Sequence, residues 1–172
     1  MIRLLPIKLD VTAAQADLKD CQWNLLPLRT GFNSPHRECD DIWMRYQSSD
    51  KRPDGSFDCD WYDIAADLPA VMYLCSAVYA YTQATECGGV LVTRIPAGKQ
   101  VYPHTDHGWH AERYEKIAVQ IAGNKDQSFC FEDGHLSPET GEVFTFNNQA
   151  KHWVLNDSDE DRITLIICLR RH

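Results

Sequence analysis

The sequence has 172 residues, with 17 Lys and Arg against 25 Asp and Glu, which gives a formal net charge of −8. A 44% hydrophobic chain of this length can bury an ordinary core, which excludes the disordered, collagen-like and repeat classes. An acidic chain repels phosphate backbones and anionic lipids, and its basic pairs, Lys51-Arg52 and Arg170-Arg171, are isolated. We therefore expect neither a nucleic acid nor a membrane as partner.

The cysteine pattern and the N-terminal residues indicate the cellular compartment of the protein. Seven cysteines, an odd number without a Cys-x-x-Cys pair, fit neither a secreted disulfide framework nor a structural zinc finger. The N-terminal stretch is interrupted by Pro6 and Lys8 and lacks the pattern of a signal peptide. These features predict reduced thiols and a cytoplasmic location.

In the first half of the chain, turn residues and apolar spacing predict two strands, two helices and a turn-rich segment. The strands cover Ile2 to Leu9 and Ile42 to Tyr46, the short helix covers Thr12 to Lys19, and the turns cover Ser48 to Phe57. From Leu68 to Thr85, apolar residues recur at helical spacing, with Pro69 in the first turn and Gly88-Gly89 as the stop. The polar residues inside this segment favour a buried amphipathic helix over a membrane span.

The second half of the chain contains seven short segments typical of strands, separated by Gly, Pro, Asn and Asp turns. They are Val90 to Ile95, Gln100 to Asp106, Ile117 to Ala122, Ser128 to Glu132, Glu142 to Asn147, His152 to Asn156 and Ile163 to Arg170. This spacing predicts a mainly β (α+β) fold with a jelly-roll, or double-stranded β-helix, cupin-like core and N-terminal helices packed on one sheet. We expect one domain over residues 1–172, with residues 1–88 supporting a catalytic core at 89–171.

Two of these strands have distinguishable faces, because side chains alternate along a strand. Ile117 and its i+2 neighbours point to the core, whereas Lys116 and Ala118 face a pocket. In the last strand, Arg162 begins the pocket-facing set, and Leu165 belongs to the opposite, apolar set.

The strongest chemical pattern is Pro103-His104-Thr105-Asp106, followed much later by His152. Two residues at i and i+2 of a strand project to the same side, so His104 and Asp106 can share one metal with an imidazole from another strand. Two imidazoles and a carboxylate on one face leave open positions, as in non-haem Fe(II) oxygenases. We predict His104, Asp106 and His152 as metal ligands and catalytic centre, with polar residues of the core or surface as the alternative.

A buried arginine strengthens this interpretation. Arg162 lies ten residues after His152, at the start of the next predicted strand, where a guanidinium could hold a carboxylate in a bidentate fork. A dicarboxylate cosubstrate requires such a group beside the metal.

Three blocks now resemble a known family. They are Val90 to Gly98 running into Val101 to Asp106, then Gly141 to Asn148, then His152 to Arg162. Over Gly89 to Arg171 the chain resembles the aspartyl/asparaginyl β-hydroxylase-like Fe(II)/2-oxoglutarate-dependent oxygenases. The resemblance implies hydroxylation of a C–H bond on an amino acid, peptide or protein side chain of Asp/Asn type, with release of succinate and CO₂. It also implies Fe(II), 2-oxoglutarate and O₂, with ascorbate supporting activity.

The resemblance assigns roles to individual residues. It implies that His104 and His152 bind iron, that Arg162 binds the distal carboxylate of 2-oxoglutarate, and that Thr93 contacts the cosubstrate. Asp106 stands where some members have Gly, so we expect a site with three protein ligands.

A second departure from the family concerns the strand that follows this block. The family often has an Arg-x-His pair there, and Lys116 and Ala118 occupy those positions. The positive charge is therefore kept, and Lys116 is expected at the cosubstrate, whereas the imidazole is lost.

Other polar and aromatic residues leave alternatives open. His107, Trp109 and His110 form either a loop that meets the substrate or a solvent-exposed loop, and His36 either reaches the pocket or is structural. A zinc site of His104, His107 and His110 would need a helix, but Gly108 favours an irregular loop. Trp43, Trp61 and Trp153 are expected in the core or at its rim, and His135 in a solvated turn. A non-catalytic cupin-like module that binds a metal or a small acid is the alternative to an enzyme.

Overall fold

The computed structural model describes residues 2–171, so Met1 and His172, the ends of the predicted domain, lie outside the described residues. The helices are α1 (Thr12–Leu18), α2 (Pro69–Thr82) and α3 (Trp109–Arg113), with a 3-10 helix at Asp63–Asp67. The strands are β1 (Ile2–Lys8), β2 (Asp40–Lys51), β3 (Phe57–Trp61), β4 (Glu86–Ile95), β5 (Gln100–His104), β6 (Glu115–Ala122), β7 (Gln127–Phe131), β8 (Gly134–Leu136), β9 (Glu142–Phe146), β10 (His152–Asn156) and β11 (Arg162–Arg170).

The strands form two antiparallel sheets. The large sheet has the order β1-β9-β6-β11-β4-β2-β3, and the small sheet has the order β5-β10-β7-β8. From β4 to β11 the chain crosses repeatedly between the sheets, which is the winding of a jelly roll. The predicted mainly β, jelly-roll fold is confirmed. The strands of the first half join the same large sheet, because β1 pairs with β9 and β2 pairs with β4.

The large sheet has an apolar layer on each face. Ile117 and Leu165 belong to the cluster that includes buried residues of α1 and α2, so the helices cover one face. Ala118 and Phe144 belong to a second cluster with Phe129 and other residues of the small sheet. The predicted alternation of β6 and β11 is therefore confirmed, and the site lies between the two sheets.

The predicted helix near residue 70 is present as α2. Pro69 occupies its first turn, and the helix ends where Gln83 takes a left-handed conformation with φ of 52°. Its buried residues, Val71, Leu74, Cys75 and Val78, are those that recur at helical spacing. None of the helices within residues 2–171 has the length and apolar run that a membrane crossing requires.

Gly88 and Gly89 do not end this helix, and the prediction that the pair is its stop signal is wrong. Both lie inside β4. A Cβ atom on Gly88 would lie 2.6 Å from the ring of Tyr114, and one on Gly89 would lie 3.1 Å from His110 Nε2. The glycines are needed because the segment that carries α3 packs directly against the backbone of β4.

Three further predictions about local structure need correction. The turn-rich segment Ser48 to Phe57 is shorter than expected, because β2 continues to Lys51 and β3 begins at Phe57. His135 lies in the short strand β8 rather than in a turn, although it is exposed as expected. The expected irregular loop after Gly108 contains the five-residue helix α3. Pairing within the β2–β3 and β7–β8 hairpins and packing of α3 against β4 outweigh the local turn composition.

Candidate metal centre

His104 and His152 lie directly opposite each other on neighbouring strands of the small sheet. Their ring centroids are 4.3 Å apart. His104 Nδ1 is 2.8 Å from the carbonyl oxygen of Tyr102, and His152 Nδ1 is 2.8 Å from that of Ala150. Because a carbonyl oxygen only accepts, both Nδ1 atoms donate, which leaves both Nε2 lone pairs free. This is the tautomer in which an imidazole binds a metal through Nε2.

Asp106 completes the group from a loop rather than from a strand. The prediction that β5 continues to Asp106 is wrong, since β5 ends at His104. The Asp106 backbone N–H instead donates to the carbonyl oxygen of Asn148 at 3.0 Å, which places the carboxylate at the sheet edge. Its Oδ1 lies 3.6 Å from His104 Nε2. The ligand atoms of His104, Asp106 and His152 all lie within 4.8 Å of one another.

Lys116 is the direct partner of the Asp106 carboxylate. Its Nζ donates to Asp106 Oδ2. Burial alone would raise the pKa of Asp106, but the charge and hydrogen bond of Lys116 outweigh it and hold this pKa well below its ordinary value. The carboxylate is therefore ionised and available as an oxygen ligand.

The donor set fits a first-row divalent metal. Among residues 2–171, His104 Nε2 is buried without a hydrogen-bond partner, and a buried lone pair of this kind needs an explanation. Two imidazole nitrogens and one carboxylate oxygen are ligands that suit Fe(II) and leave coordination positions open. A bound metal would satisfy the atom that the folded chain leaves unsatisfied.

Aromatic rings surround the histidine on β10. The ring of His152 has Phe129, Phe131 and Phe146 within 5.6 to 5.8 Å, measured between centroids. Burial in this environment lowers the pKa of His152 to about 4. The imidazole is consequently neutral near pH 7, as metal binding requires.

Arg162 lies in the same cavity. We call this space, about 460 Å³ with its open mouth, the inner cavity, and its walls include His104, His152 and Arg162. Arg162 is 2% exposed, and its Nη1 donates to Thr164 Oγ1 at 2.7 Å. Its Nε and Nη2 have no partner within the described part of the chain. Burial lowers the pKa of Arg162 to about 10, so the group remains a cation at neutral pH.

Thr93 and Lys116 also line the inner cavity, but their hydrogen bonds go to other side chains. Thr93 Oγ1 donates to Asp41 Oδ1 at 2.9 Å and accepts from Arg29 Nη2 at 2.5 Å. Lys116 is paired with Asp106 as described above. Their contact with a cosubstrate stays a prediction.

The histidines expected near the substrate lie around a second space, the outer cavity. It measures about 720 Å³ with its mouth, and it shares Arg29, His36 and Lys116 with the inner cavity. The walls of the outer cavity also include Asp106 and Trp43, so it borders the metal group at Asp106, whereas His104 and His152 line the inner cavity.

His36 and the two histidines after Asp106 reach this space, as expected for pocket residues. The His36 ring centroid is 4.6 Å from that of His104, and burial shifts the pKa of His36 far below its ordinary value. His107 Nε2 is 2.6 Å from Thr105 Oγ1, and both His107 and His110 line the outer cavity.

Two alternatives that the sequence left open or disfavoured for this loop are not seen in the structure. Trp109 packs against Phe57 with ring centroids 5.6 Å apart and lies outside the walls of both cavities. The zinc site of His104, His107 and His110 is not formed, because His110 Nε2 accepts from the Gly89 backbone N–H at 2.9 Å. Within residues 2–171, the metal-binding geometry joins His104 to Asp106 and His152 instead.

Arg29 is a site residue that sequence reasoning missed. It lies in the segment between α1 and β2 and binds Asp41 through Nε at 2.7 Å and Nη2 at 3.0 Å. This segment has no periodicity that would place its side chains, and Thr93 is 64 residues away along the chain. No sequence signal indicated that Arg29 borders the metal group.

Comparison with known proteins identifies the family. The sequence profile described as aspartyl/asparaginyl beta-hydroxylase matches residues 11–172. The chain belongs to the aspartyl/asparaginyl beta-hydroxylase family. It is therefore a hydroxylase of the 2-oxoglutarate- and Fe(II)-dependent class, as the resemblance implied. No curated protein sequence is similar enough to match this hydroxylase.

Solved structures share the fold of this hydroxylase at low sequence identity. A 2OG-Fe(II) oxygenase family oxidoreductase from Burkholderia pseudomallei superimposes with a TM-score of 0.58 at 11% identity, covering 78% of this chain and 68% of that one. A Pseudomonas putida prolyl-4-hydroxylase gives 0.54 at 15% identity, covering 99% and 92%. A Trichoplax adhaerens prolyl hydroxylase, in complex with a hypoxia inducible factor peptide fragment, gives 0.52 at 13% identity, covering 77% and 62%.

Proposed function

We propose that this hydroxylase uses Fe(II), 2-oxoglutarate and O₂ to hydroxylate a C–H bond of an amino acid, peptide or protein side chain of Asp/Asn type. The observation that carries the proposal is the inner cavity. It places two free imidazole lone pairs of His104 and His152 in one space with a buried, incompletely paired guanidinium of Arg162. A metal would satisfy the imidazole nitrogens, and a dicarboxylate bound to that metal would satisfy the free donors of Arg162.

Each group in this cavity has a separate task. His104, Asp106 and His152 would hold Fe(II), and Arg162 would hold the distal carboxylate of 2-oxoglutarate. When bound, iron and cosubstrate supply the oxidation, in which 2-oxoglutarate and O₂ yield succinate, CO₂ and one oxygen atom inserted into the substrate. The protein contributes fixed positions for these ligands, because the Nδ1–H groups of both histidines are tied to backbone carbonyls.

The walls of the cavity support this chemistry by excluding water. Phe129, Phe144 and Phe146 line the inner cavity beside the metal group. In such surroundings the interaction between Arg162 and a carboxylate is stronger than in water, because little solvent screens it. The same walls protect a reactive oxidant from side reactions.

The outer cavity is the place for the substrate, since its walls include Asp106 of the metal group but not Arg162. The Trichoplax adhaerens neighbour is a prolyl hydroxylase with a peptide, which supports a peptide or protein substrate for this chain. The family name supports an Asp or Asn side chain as the target. Cytoplasmic location and stimulation by ascorbate stay predictions, which the seven free thiols favour.

Succinate formation tests the proposal. Purified protein with Fe(II), 2-oxoglutarate, ascorbate and O₂ is expected to form succinate, slowly even without substrate. His104→Ala should abolish this product, because it removes one of the two imidazole ligands. His135→Ala, which changes an exposed histidine in β8, is the matched control and should retain the wild-type rate. Equal succinate from wild type and His104→Ala would instead favour a non-catalytic binding module.

A further inference from the structure

The outer cavity contains a cation whose position is fixed by the protein. Arg29 uses its Nε and Nη2 atoms to bind the carboxylate of Asp41, which is 1% exposed, and its Nη2 also donates to Thr93. Its Nη1 makes no hydrogen bond among the described residues, and Arg29 lines both cavities. The guanidinium is thus held in place while one of its donor nitrogens remains available to a ligand.

Trp43 supplies a second free donor in the same cavity. The side chain is 9% exposed, and its Nε1 is buried without a hydrogen-bond partner within residues 2–171. Buried indole N–H groups normally find an acceptor, because an unpaired one loses the hydrogen bond that it had with water. Arg29 Cζ lies 6.0 Å from the centroid of the Trp43 ring, so the guanidinium and the indole are neighbours.

Part of the remaining wall of the outer cavity is apolar or aromatic, and the rest is formed by three histidines and the Lys116–Asp106 ion pair. Tyr46, Leu91 and Ala111 line it, and Leu28, which is 50% exposed, stands at its mouth. Leu28 and Trp43 also line an adjoining groove that includes Leu25 and Trp61, both more than 40% exposed. An apolar surface therefore leads outward from the two donors.

We propose that Arg29 and Trp43 bind the carboxylate of the substrate, whose apolar body packs between Tyr46 and Leu28. The ligand class is an apolar carboxylic acid, such as an N-acylated amino acid or the C-terminus of a peptide. A carboxylate accepts several hydrogen bonds and so satisfies both donors, whereas a neutral amide offers one oxygen and no charge. This inference rests on the proposed function, because it places the acid beside the metal group.

Binding of a matched pair of compounds tests the subsite without turnover. N-acetyl-L-leucine and N-acetyl-L-leucinamide differ at the carboxylate alone, and calorimetric titration of each into wild-type protein gives their affinities. The acid is expected to bind at least about tenfold more tightly than the amide, because a hydrogen bond to a charged group contributes more than a neutral one. Equal affinities, or no binding of the acid at millimolar concentration, would overturn the proposal.

Two variants assign the preference to the proposed residues. Trp43→Phe removes an N–H that has no partner in the protein, so folding should survive, and affinity for the acid is expected to fall about fivefold with little change for the amide. Arg29→Gln should abolish the preference for the acid. Trp153→Phe, on β10 and outside the walls of both cavities and the groove, is the control and should bind both compounds as wild type does. An unchanged preference in both Trp43→Phe and Arg29→Gln would contradict the assignment.

Binding of a longer peptide distinguishes the possible sources of the carboxylate. Comparison of binding with succinate formation distinguishes a failure of this subsite from a failure of the proposed function. Tighter binding of N-acetyl-Ala-Ala-Leu than of N-acetyl-L-leucine would assign the subsite to peptide C-termini, and equal binding would assign it to free acids. Preference for the acid in protein that forms no succinate would support the subsite while the oxygenase proposal fails. Succinate formation by protein without that preference would give the opposite result.

Discussion

Two arginines near the metal group show how differently one protein can hold the same cation. Arg162 in the inner cavity has no carboxylate partner in residues 2–171, and burial lowers its pKa to about 10. Arg29, which lines both cavities, is only partly buried, with 20% of its side chain exposed; burial would lower its pKa, but the charge and hydrogen bonds of Asp41 outweigh that effect and raise it.

The difference separates a group kept for a ligand from a group that also holds the fold. An unpaired buried cation is costly, and a carboxylate from outside the protein would offset that cost for Arg162. Arg29 has its counter-charge within the chain and so ties the segment before β2 to the large sheet. Variants at these positions should therefore affect different properties.

Removal of Arg29 is expected to have the largest effect on stability. Arg29→Met leaves Asp41 buried with no cation beside it, so the free energy of unfolding should fall by about 3 kcal/mol. Urea denaturation measures this change, with Arg3→Met, at an exposed arginine of β1, as the control. A loss no greater than that of the control would remove the proposed structural role of Arg29.

Acid should lower the free energy of unfolding through His110, a residue of the outer cavity. Burial lowers the pKa of His110 to about 4, whereas the unfolded chain has an ordinary histidine near 6.5, so the unfolded state binds more protons between these values. The stability that neutral His110 contributes is present above pH 6.5 and is lost as the pH falls towards 4.

The variant His110→Gln isolates this effect from the other buried histidines. Its unfolding free energy should decline with acid less steeply than that of wild type, by up to about 1.4 kcal/mol per pH unit in this window. Urea denaturation at several pH values gives both slopes. Parallel slopes for wild type and variant would show that His110 does not titrate with folding.

Close packing of Gly88 against Tyr114 predicts a smaller loss in the free energy of unfolding. Gly88→Ala places a methyl group against the ring of Tyr114, which is 4% exposed and has little room to move. We expect a loss of about 1–3 kcal/mol from overpacking, measured by thermal or urea unfolding. Gly31→Ala, at a glycine with open space around it, is the control. A stable Gly88→Ala variant would mean that Tyr114 can shift freely.

The smallest effect on stability is expected for Arg162. Arg162→Met replaces an incompletely paired buried cation with an apolar side chain of similar length, so the free energy of unfolding should stay unchanged or rise. A loss comparable to that of Arg29→Met would erase the contrast between the two arginines.

The sequence predicts the residues around the inner cavity far better than those around the outer cavity. His104, His152 and Arg162 lie on regular jelly-roll strands, where alternation and spacing indicate which way each side chain points. Asp106 lies close to both histidines, as its predicted role requires, although a loop rather than a strand places it, and its binding of a metal stays a prediction. The resemblance to the family covered the same half of the chain.

The positions of the residues around the outer cavity depend on contacts that local sequence patterns do not encode. Arg29 meets Thr93 across 64 residues of sequence, and Trp43 borders the outer cavity because β2 pairs with β4. Gly88 was interpreted as a helix stop because a glycine that allows close approach looks the same in sequence as one that ends a helix. Tertiary packing alone distinguishes these cases.

Binding of 2-oxoglutarate tests the central claim most directly. The titration uses wild-type protein and Arg162→Met, each loaded with redox-inert Zn(II), so that affinity is measured without turnover. Loss of two charge-assisted hydrogen bonds in Arg162→Met should weaken 2-oxoglutarate binding at least about 100-fold while Zn(II) binding stays unchanged. Equal affinity of the two proteins for 2-oxoglutarate would contradict the account of the inner cavity as the cosubstrate site.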